Sequence, residues 1–198
     1  MTGVVGVLLA AGEGRRFGGP KALARDEDGT SWLLRSVAAL RPCREVVVVL
    51  GAEAERAAAL LPMSVHRVRA DDWRRGMGAS LRAALSALDP EAYDAALVSL
   101  VDLPDVGPEV VARVLAAASG RDDLARAAYG GREGHPVLLG SDHWAGVVDA
   151  AEGDRGARDY LAAHRVQLVE CGDLATGRDV DARPGGIDDP TSDQRGGS

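Results

Sequence analysis

The sequence has 198 residues, enough for one domain with a substantial core. Apolar residues make up 46% of it but aromatics only 4%, so that core must be built from Ala, Val and Leu. A formal net charge of −7 excludes a protein that coats nucleic acid, and any polyanionic ligand must meet a local positive patch.

Val4–Leu9 reads as a buried strand, a short Val/Leu run ended by Ala-Ala-Gly. The apolar stretch Val4–Ala11 is too short to span a membrane and has no basic segment before it. Ser31 is an N-cap candidate for a helix through Trp32, Leu33, Val37 and Leu40. Val46–Leu50 is a second buried strand, Glu53–Leu61 a helix stopped by Pro62, and Val65–Val68 a third strand. Met77, Leu81, Leu85 and Leu88 recur at helical spacing. Ala95–Val101 is another apolar strand, and Pro108 stands where a first helical residue would, with Asp105 available to cap that helix. Ala125–Tyr129 and Pro136–Leu139, joined across Gly-Gly-Arg-Glu-Gly, predict a hairpin. A helix near Ala157–His164 and a strand near Val166–Val169 complete a domain expected over 1–181. From Ala182 the chain reads ARPGGIDDPTSDQRGGS, the composition of a disordered tail.

Strands alternating with helices predict an α/β fold of three layers (αβα), Rossmann-like, with a mostly parallel sheet and a late antiparallel hairpin at one edge. Cys43 and Cys171 form no C-x-x-C pair, so neither a disulfide framework nor a zinc knuckle is indicated. A reducing cytoplasm is the expected location, with no membrane and no nucleic acid as partner.

The first strand runs into Leu8–Leu23, LLAAGEGRRFGGPKAL, which packs four glycines, two adjacent arginines and a lysine together. Glycines let backbone N–H groups approach phosphate oxygens, and Arg or Lys offsets their charge. The P-loop pattern fails because Pro20 follows Gly19 where Lys is required. The dinucleotide fingerprint fails because Phe17 takes the place of its third glycine. Asp102 stands at the end of the Ala95–Val101 run, where ligands of open α/β sheets bind and a carboxylate can hold a divalent cation. As a residue type it serves equally as a turn former before Pro104.

The segment resembles the signature L-x-x-G-x-G-x-R-[MF]-G-x-x-K of the nucleotidyltransferases with a molybdenum-cofactor-type fold, which include molybdenum cofactor guanylyl- and cytidylyltransferases. Leu9, Gly12, Gly14, Arg16, Phe17, Gly18 and Lys21 carry the match. The resemblance implies that Leu9, Ala10, Ala11, Gly12 and Gly14 bind the nucleotide and that Arg16 and Lys21 contact its triphosphate. Asp102-Leu103-Pro104 is similar to the family's Asp-x-Pro, which implies a catalytic, Mg²⁺-holding role for Asp102. Asp181, in GRDVDARPGG, is similar to the second Asp of a late Asp-x-Asp element and is the second metal-ligand candidate, although the Thr-Pro-Glu-Asp that follows in the family is replaced here.

Within the superfamily, Ala10-Ala11-Gly12 resembles the cytidylyltransferase form rather than the Ala-Gly-Gly of guanylyltransferases, and a methyl on Ala11 crowds a purine more than a pyrimidine. DDWRRGMGASLRAAL resembles the cytidylyltransferase W-x-x-G-M-x-x-S-L segment, which implies that Gly76 and Ser80 lie near the base, Ser80 serving equally as a small helix residue. GREGHPVLL and EGDRGAR resemble acceptor-side segments, which implies acceptor contacts by Gly134, His135 and Pro136, and by Gly153, Asp154 and Arg158. On residue type alone, His135 begins a strand after a tight hairpin and Asp154 caps a helix. His66, His143 and His164 lack metal-ligand spacing, and Trp73 and Trp144 read as packing anchors.

The expected function is Mg²⁺-dependent transfer of CMP from CTP to a molybdopterin-type molybdenum cofactor, with release of pyrophosphate and a molybdoenzyme or its chaperone as recipient. The alternatives are a GTP-using or sugar- or alcohol-phosphate transferase of the same fold, a non-catalytic molybdenum cofactor carrier, and a regulatory nucleotide-binding module.

Overall fold

The computed structural model describes residues 3–117 and 120–180. Seven strands form one sheet: β1 Val4–Ala10, β2 Glu45–Leu50, β3 His66–Arg69, β4 Ala95–Leu100, β5 Leu124–Tyr129, β6 Arg132–Gly140 and β7 Gln167–Glu170. Their order is β3-β2-β1-β4-β6-β5-β7, and β6 runs against its neighbours β4 and β5 while every other pairing is parallel. The hairpin is thus not at the rim of the sheet as expected. β6 is inserted beside β4, and β7 pairs outside β5 to become the edge.

Six α-helices cover the sheet: α1 Trp32–Ala39, α2 Ala54–Ala58, α3 Met77–Ser86, α4 Pro108–Ala116, α5 Trp144–Ala150 and α6 Arg158–Ala162. Leu8, Val48, Leu97 and Leu138 face one layer with Leu33 of α1 and Val110, Val111 and Val114 of α4. Val5, Val7, Val49, Ala96 and Leu139 face the other with Leu81 and Leu85 of α3, Trp144 and Val147 of α5 and Leu161 of α6. Central strands buried on both faces read as continuous apolar runs, which is why β1, β2 and β4 were plain in the sequence. Among the described residues no helix is long and apolar enough to cross a membrane.

Ser31 caps α1 by accepting from Leu34 N–H at 3.4 Å, and Pro108 occupies the first turn of α4, both as expected. Asp105 does not cap α4. Its carboxylate accepts from the N–H and the hydroxyl of Thr176, both at 2.6 Å, and leaves Gly107 at the N-cap. α2 is shorter than expected because Glu53 adopts a left-handed backbone (φ 53°) and because the chain after Ala58 tightens into 3₁₀-type bonds from Leu60 to Ala57 and Leu61 to Ala58. α5 was missed. Gly146 interrupts its pattern, and that glycine is required because a Cβ there would stand 2.6 Å from the Tyr160 ring of α6.

Candidate active site

The site opens at the carboxyl ends of β1 and β4. After Ala10 the chain turns through a glycine loop closed by Gly19 N–H on the Gly14 carbonyl (3.1 Å) and Gly18 N–H on the Arg15 carbonyl (3.4 Å). Gly14 has φ +62°, and a Cβ on it would lie 2.0 Å from the Gly19 carbonyl oxygen, so glycine is obligatory there. A Cβ on Gly12 meets nothing within 4 Å, which leaves its backbone open to a ligand. Phe17 is buried against Trp32, ring centroids 5.0 Å apart, and pins the loop while its arginine neighbours stay outside. Arg15 is held by Glu13 at 2.8 Å in an exposed pair.

Lys21 begins a single 3₁₀ turn after Pro20, and its Nζ donates to Asp102 Oδ2 at 2.8 Å. Both side chains are about five-sixths shielded (16% and 17% exposed), so removing either partner would leave a shielded charge uncompensated. Asp102 is positioned by the end of β4: Val101 N–H donates to the Leu9 carbonyl at 3.3 Å, and Val180 N–H donates to the Asp102 carbonyl at 3.1 Å. Asp102 Oδ1 is buried and, among the described residues, has no hydrogen-bond partner. A buried carboxylate oxygen without a partner is costly unless a cation completes it, and a hard divalent ion such as Mg²⁺ fits that requirement. Asp181 lies outside the described residues, as does the expected tail. Among the described residues no cluster of three or more metal-ligating groups forms.

Lys21 and Asp102 stand in a cleft of about 650 Å³, a size suited to a nucleotide. Every residue expected at the nucleotide lines it: Leu9, Ala10, Ala11, Gly12, Gly14, Arg16, Gly76 and Ser80 join Lys21 and Asp102. Trp73 lines it too. As a packing anchor it lies half-buried against the core layer of α3: its ring packs beside Gly51, where a Cβ would lie 2.6 Å from the indole, and carries the Arg74 guanidinium 4.4 Å from its centroid. No sequence signal separated the two tryptophans, and Trp144 is the buried one, its indole N–H on the Leu139 carbonyl at 2.9 Å.

The residues expected at the acceptor divide. Asp154 lines the cleft of the glycine loop, whereas Gly134, His135, Pro136 and Arg158 do not. Asp154 and its turn residue Gly153 make no helix cap; Ala157 holds the N-cap of α6. Gly134–Pro136 lie in β6 and are fixed by Tyr129, whose hydroxyl donates to the His135 carbonyl at 2.6 Å, and by Arg126, whose guanidinium donates to the Gly134 carbonyl at 3.3 Å. Burial pushes the His135 imidazole down to about 4, the Arg126 charge acting in the same direction and Asp179 opposing. Arg126 was missed because it stands in a strand pattern. Burial lowers its own pKa, Glu133 opposes that at 2.7 Å, and the Arg158 charge adds to the lowering. His143 bonds the Tyr160 hydroxyl and the Asp122 carbonyl, both at 2.9 Å, and His164 stacks on Tyr160, so both histidines are structural.

Residues 6–168 match the family model described as the MobA-like NTP transferase domain. The chain is 37% identical over 196 residues to "Nicotine blue oxidoreductase" of Paenarthrobacter nicotinovorans, covering 90% of this chain and 92% of that protein. It is 37% identical over 105 residues to "Probable molybdenum cofactor guanylyltransferase" of Rhodopirellula baltica, covering 52% of this chain and 50% of that protein. Among solved structures, the Rv0371c homologue from Mycobacterium sp. strain JC1 is 30% identical, covers 90% of each chain and superposes with a TM-score of 0.75. With its seven-stranded sheet and glycine-loop cleft, this chain belongs to the MobA-like NTP transferase domain family.

Proposed function

We propose that the protein transfers CMP from CTP to the phosphate of a molybdopterin-type cofactor and releases pyrophosphate. The Lys21–Asp102 pair beneath the glycine loop carries this reading. An oxygen of the acceptor phosphate attacks the α-phosphorus, the bond from that phosphorus to the bridging oxygen breaks, and pyrophosphate leaves with the charge. The attacking oxygen is already largely ionised at neutral pH, so no strong general base is needed. The work of the chain is alignment and charge neutralisation. Backbone N–H groups of the Ala10–Gly14 segment face the phosphates. Arg16 offsets charge on the departing pyrophosphate, and Lys21 shares its donors between Asp102 and the triphosphate. Mg²⁺, held by Asp102 and by Asp181, would supply further charge neutralisation on the phosphates. The Ala11 methyl and the Ser80 hydroxyl favour a pyrimidine base. Product then passes to a molybdoenzyme or its chaperone in the cytoplasm.

Pyrophosphate release with molybdenum-loaded cofactor, Mg²⁺ and either CTP or GTP tests the reading. Release with CTP alone supports it. Release with GTP alone keeps the chemistry and reverses the base, in line with the name of the Rhodopirellula relative. Cofactor binding without release with either nucleotide replaces the enzyme by a carrier.

A second reading, an oxidoreductase, is favoured by the 37% identity to nicotine blue oxidoreductase across nearly the whole of both chains. A glycine loop with flanking cations suits the diphosphate of a nicotinamide dinucleotide as well as a triphosphate. Oxidation of NADH or NADPH in the presence of nicotine blue, with no pyrophosphate released from CTP or GTP, would establish it.

A further inference from the structure

We propose that the Asp154 carboxylate reads the donor base by accepting a hydrogen bond from its exocyclic amino group. The inference rests on the nucleotidyl-transfer reading above and adds to it a determinant of base choice.

Arg15, Arg16 and Lys21 line the cleft from the glycine loop, Arg15 paired with Glu13 and Lys21 with Asp102, and Asp154 enters the same cleft from the 3₁₀ turn Gly153–Arg155, with Trp73 and Arg74 also in the lining. That turn is clamped onto the start of α3. A Cβ on Gly76 would lie 2.5 Å from Asp154 Oδ1, and a Cβ on Gly78 2.8 Å from the Glu152 nitrogen. Gly76 also has φ +103°, so no side chain is tolerated between the carboxylate and the helix. Among the described residues Asp154 makes no hydrogen bond and no ion pair, although neighbouring Arg155 is paired with Asp159.

The reading above gives the triphosphate to the glycine loop and the base to Ala11 and Ser80, and Asp154 lies against Gly76, at the start of the helix that carries Ser80. Trp73 and Met77 offer apolar walls there, and Ser80 a hydroxyl. A carboxylate accepts only, so it selects a ring edge that donates. Cytosine offers its 4-amino group, and guanine its 2-amino group and ring N–H. Uracil turns a carbonyl oxygen to the place where cytosine has the amino group, and two acceptors facing one another are penalised.

The test is calorimetric binding of CTP, UTP and dCTP to the full chain, as wild type, Asp154→Ala and Asp154→Asn, with thermal melts to confirm folding. The wild type is expected to bind CTP about tenfold more tightly than UTP, the worth of one hydrogen bond to a charged group. Asp154→Ala should erase that ratio. Asp154→Asn, whose amide also donates, should raise UTP to the level of CTP or above it. If GTP is the donor, ITP, which lacks the 2-amino group, takes the place of UTP. A base preference unchanged by either substitution overturns the inference. So does a response confined to the CTP/dCTP ratio, which would place the carboxylate on the ribose. A wild-type chain that binds no nucleotide removes the nucleotidyl-transfer reading itself, a result distinct from both.

Discussion

Lys21 and Asp102, brought together from the loop after the first strand and the end of the fourth, share a 2.8 Å hydrogen bond in which each side chain is largely shielded from water. Removing the cation has two separable effects. Lys21→Met should lower nucleotidyl-transfer turnover by about 10²–10³-fold, the usual cost of one preorganised charge on a transition state. It should also destabilise the fold by about 1–3 kcal/mol, because the shielded Asp102 Oδ2 loses the Lys21 donor. Pyrophosphate release and urea melts read the two effects independently. Unchanged turnover in a folded variant would defeat the site assignment.

Two glycines of one loop should respond in opposite ways. Gly14→Ala forces a Cβ to 2.0 Å from the Gly19 carbonyl at a positive φ, and should lower stability by about 1–3 kcal/mol. Gly12→Ala meets no protein atom and should leave the melting curve within about 0.5 kcal/mol of wild type. Its methyl intrudes on the space for phosphates, so nucleotide affinity should fall about tenfold or more. Melting curves and nucleotide titrations of the two variants, set side by side, check this.

His135 gives the fold a pH dependence of defined sign. Its pKa is lowered from 6.5 to about 4 in the native protein, so between those values the unfolded chain binds the proton more readily. The stability this residue contributes is complete above pH 6.5 and is lost as pH falls towards 4. Denaturant melts at intervals across that window should show the decline, and His135→Gln should flatten it.

The cysteines should be silent in the native protein. Cys43 is 8% exposed, with its thiol pushed up to about 12 by burial, and Cys171 is fully buried, with its thiol also raised by burial. The thiolate is the reactive form. Iodoacetamide at pH 8 should therefore modify neither cysteine until denaturant is added, a result read by intact mass.

The sequence made the glycine-loop side of the cleft legible because it is local. Gly12, Gly14, Arg16 and Lys21 fall within ten residues, and the structure brings them to one cleft. Asp102 was legible because an apolar run ended on it. A short motif points Asp154 to the acceptor, but its place in the cleft of the glycine loop depends on how its turn meets Gly76, a contact between distant parts of the chain with no periodic signature. Trp73 packs on the core as its residue type suggests, but a Trp in a short linker carries no sign that it also faces the cleft. The insertion of β6 beside β4 was equally hidden, since local pattern announces a hairpin but not the strand it will pair with.

The bond from Val180 to the Asp102 carbonyl ties the floor of the cleft to a residue synthesised long after it. On a ribosome the glycine loop, β1 and β4 emerge well before Val180, so the end of β4 gains this bond only after a long intervening stretch of chain has been made. The glycine loop is thus complete in sequence before the Asp102 carbonyl meets its Val180 partner.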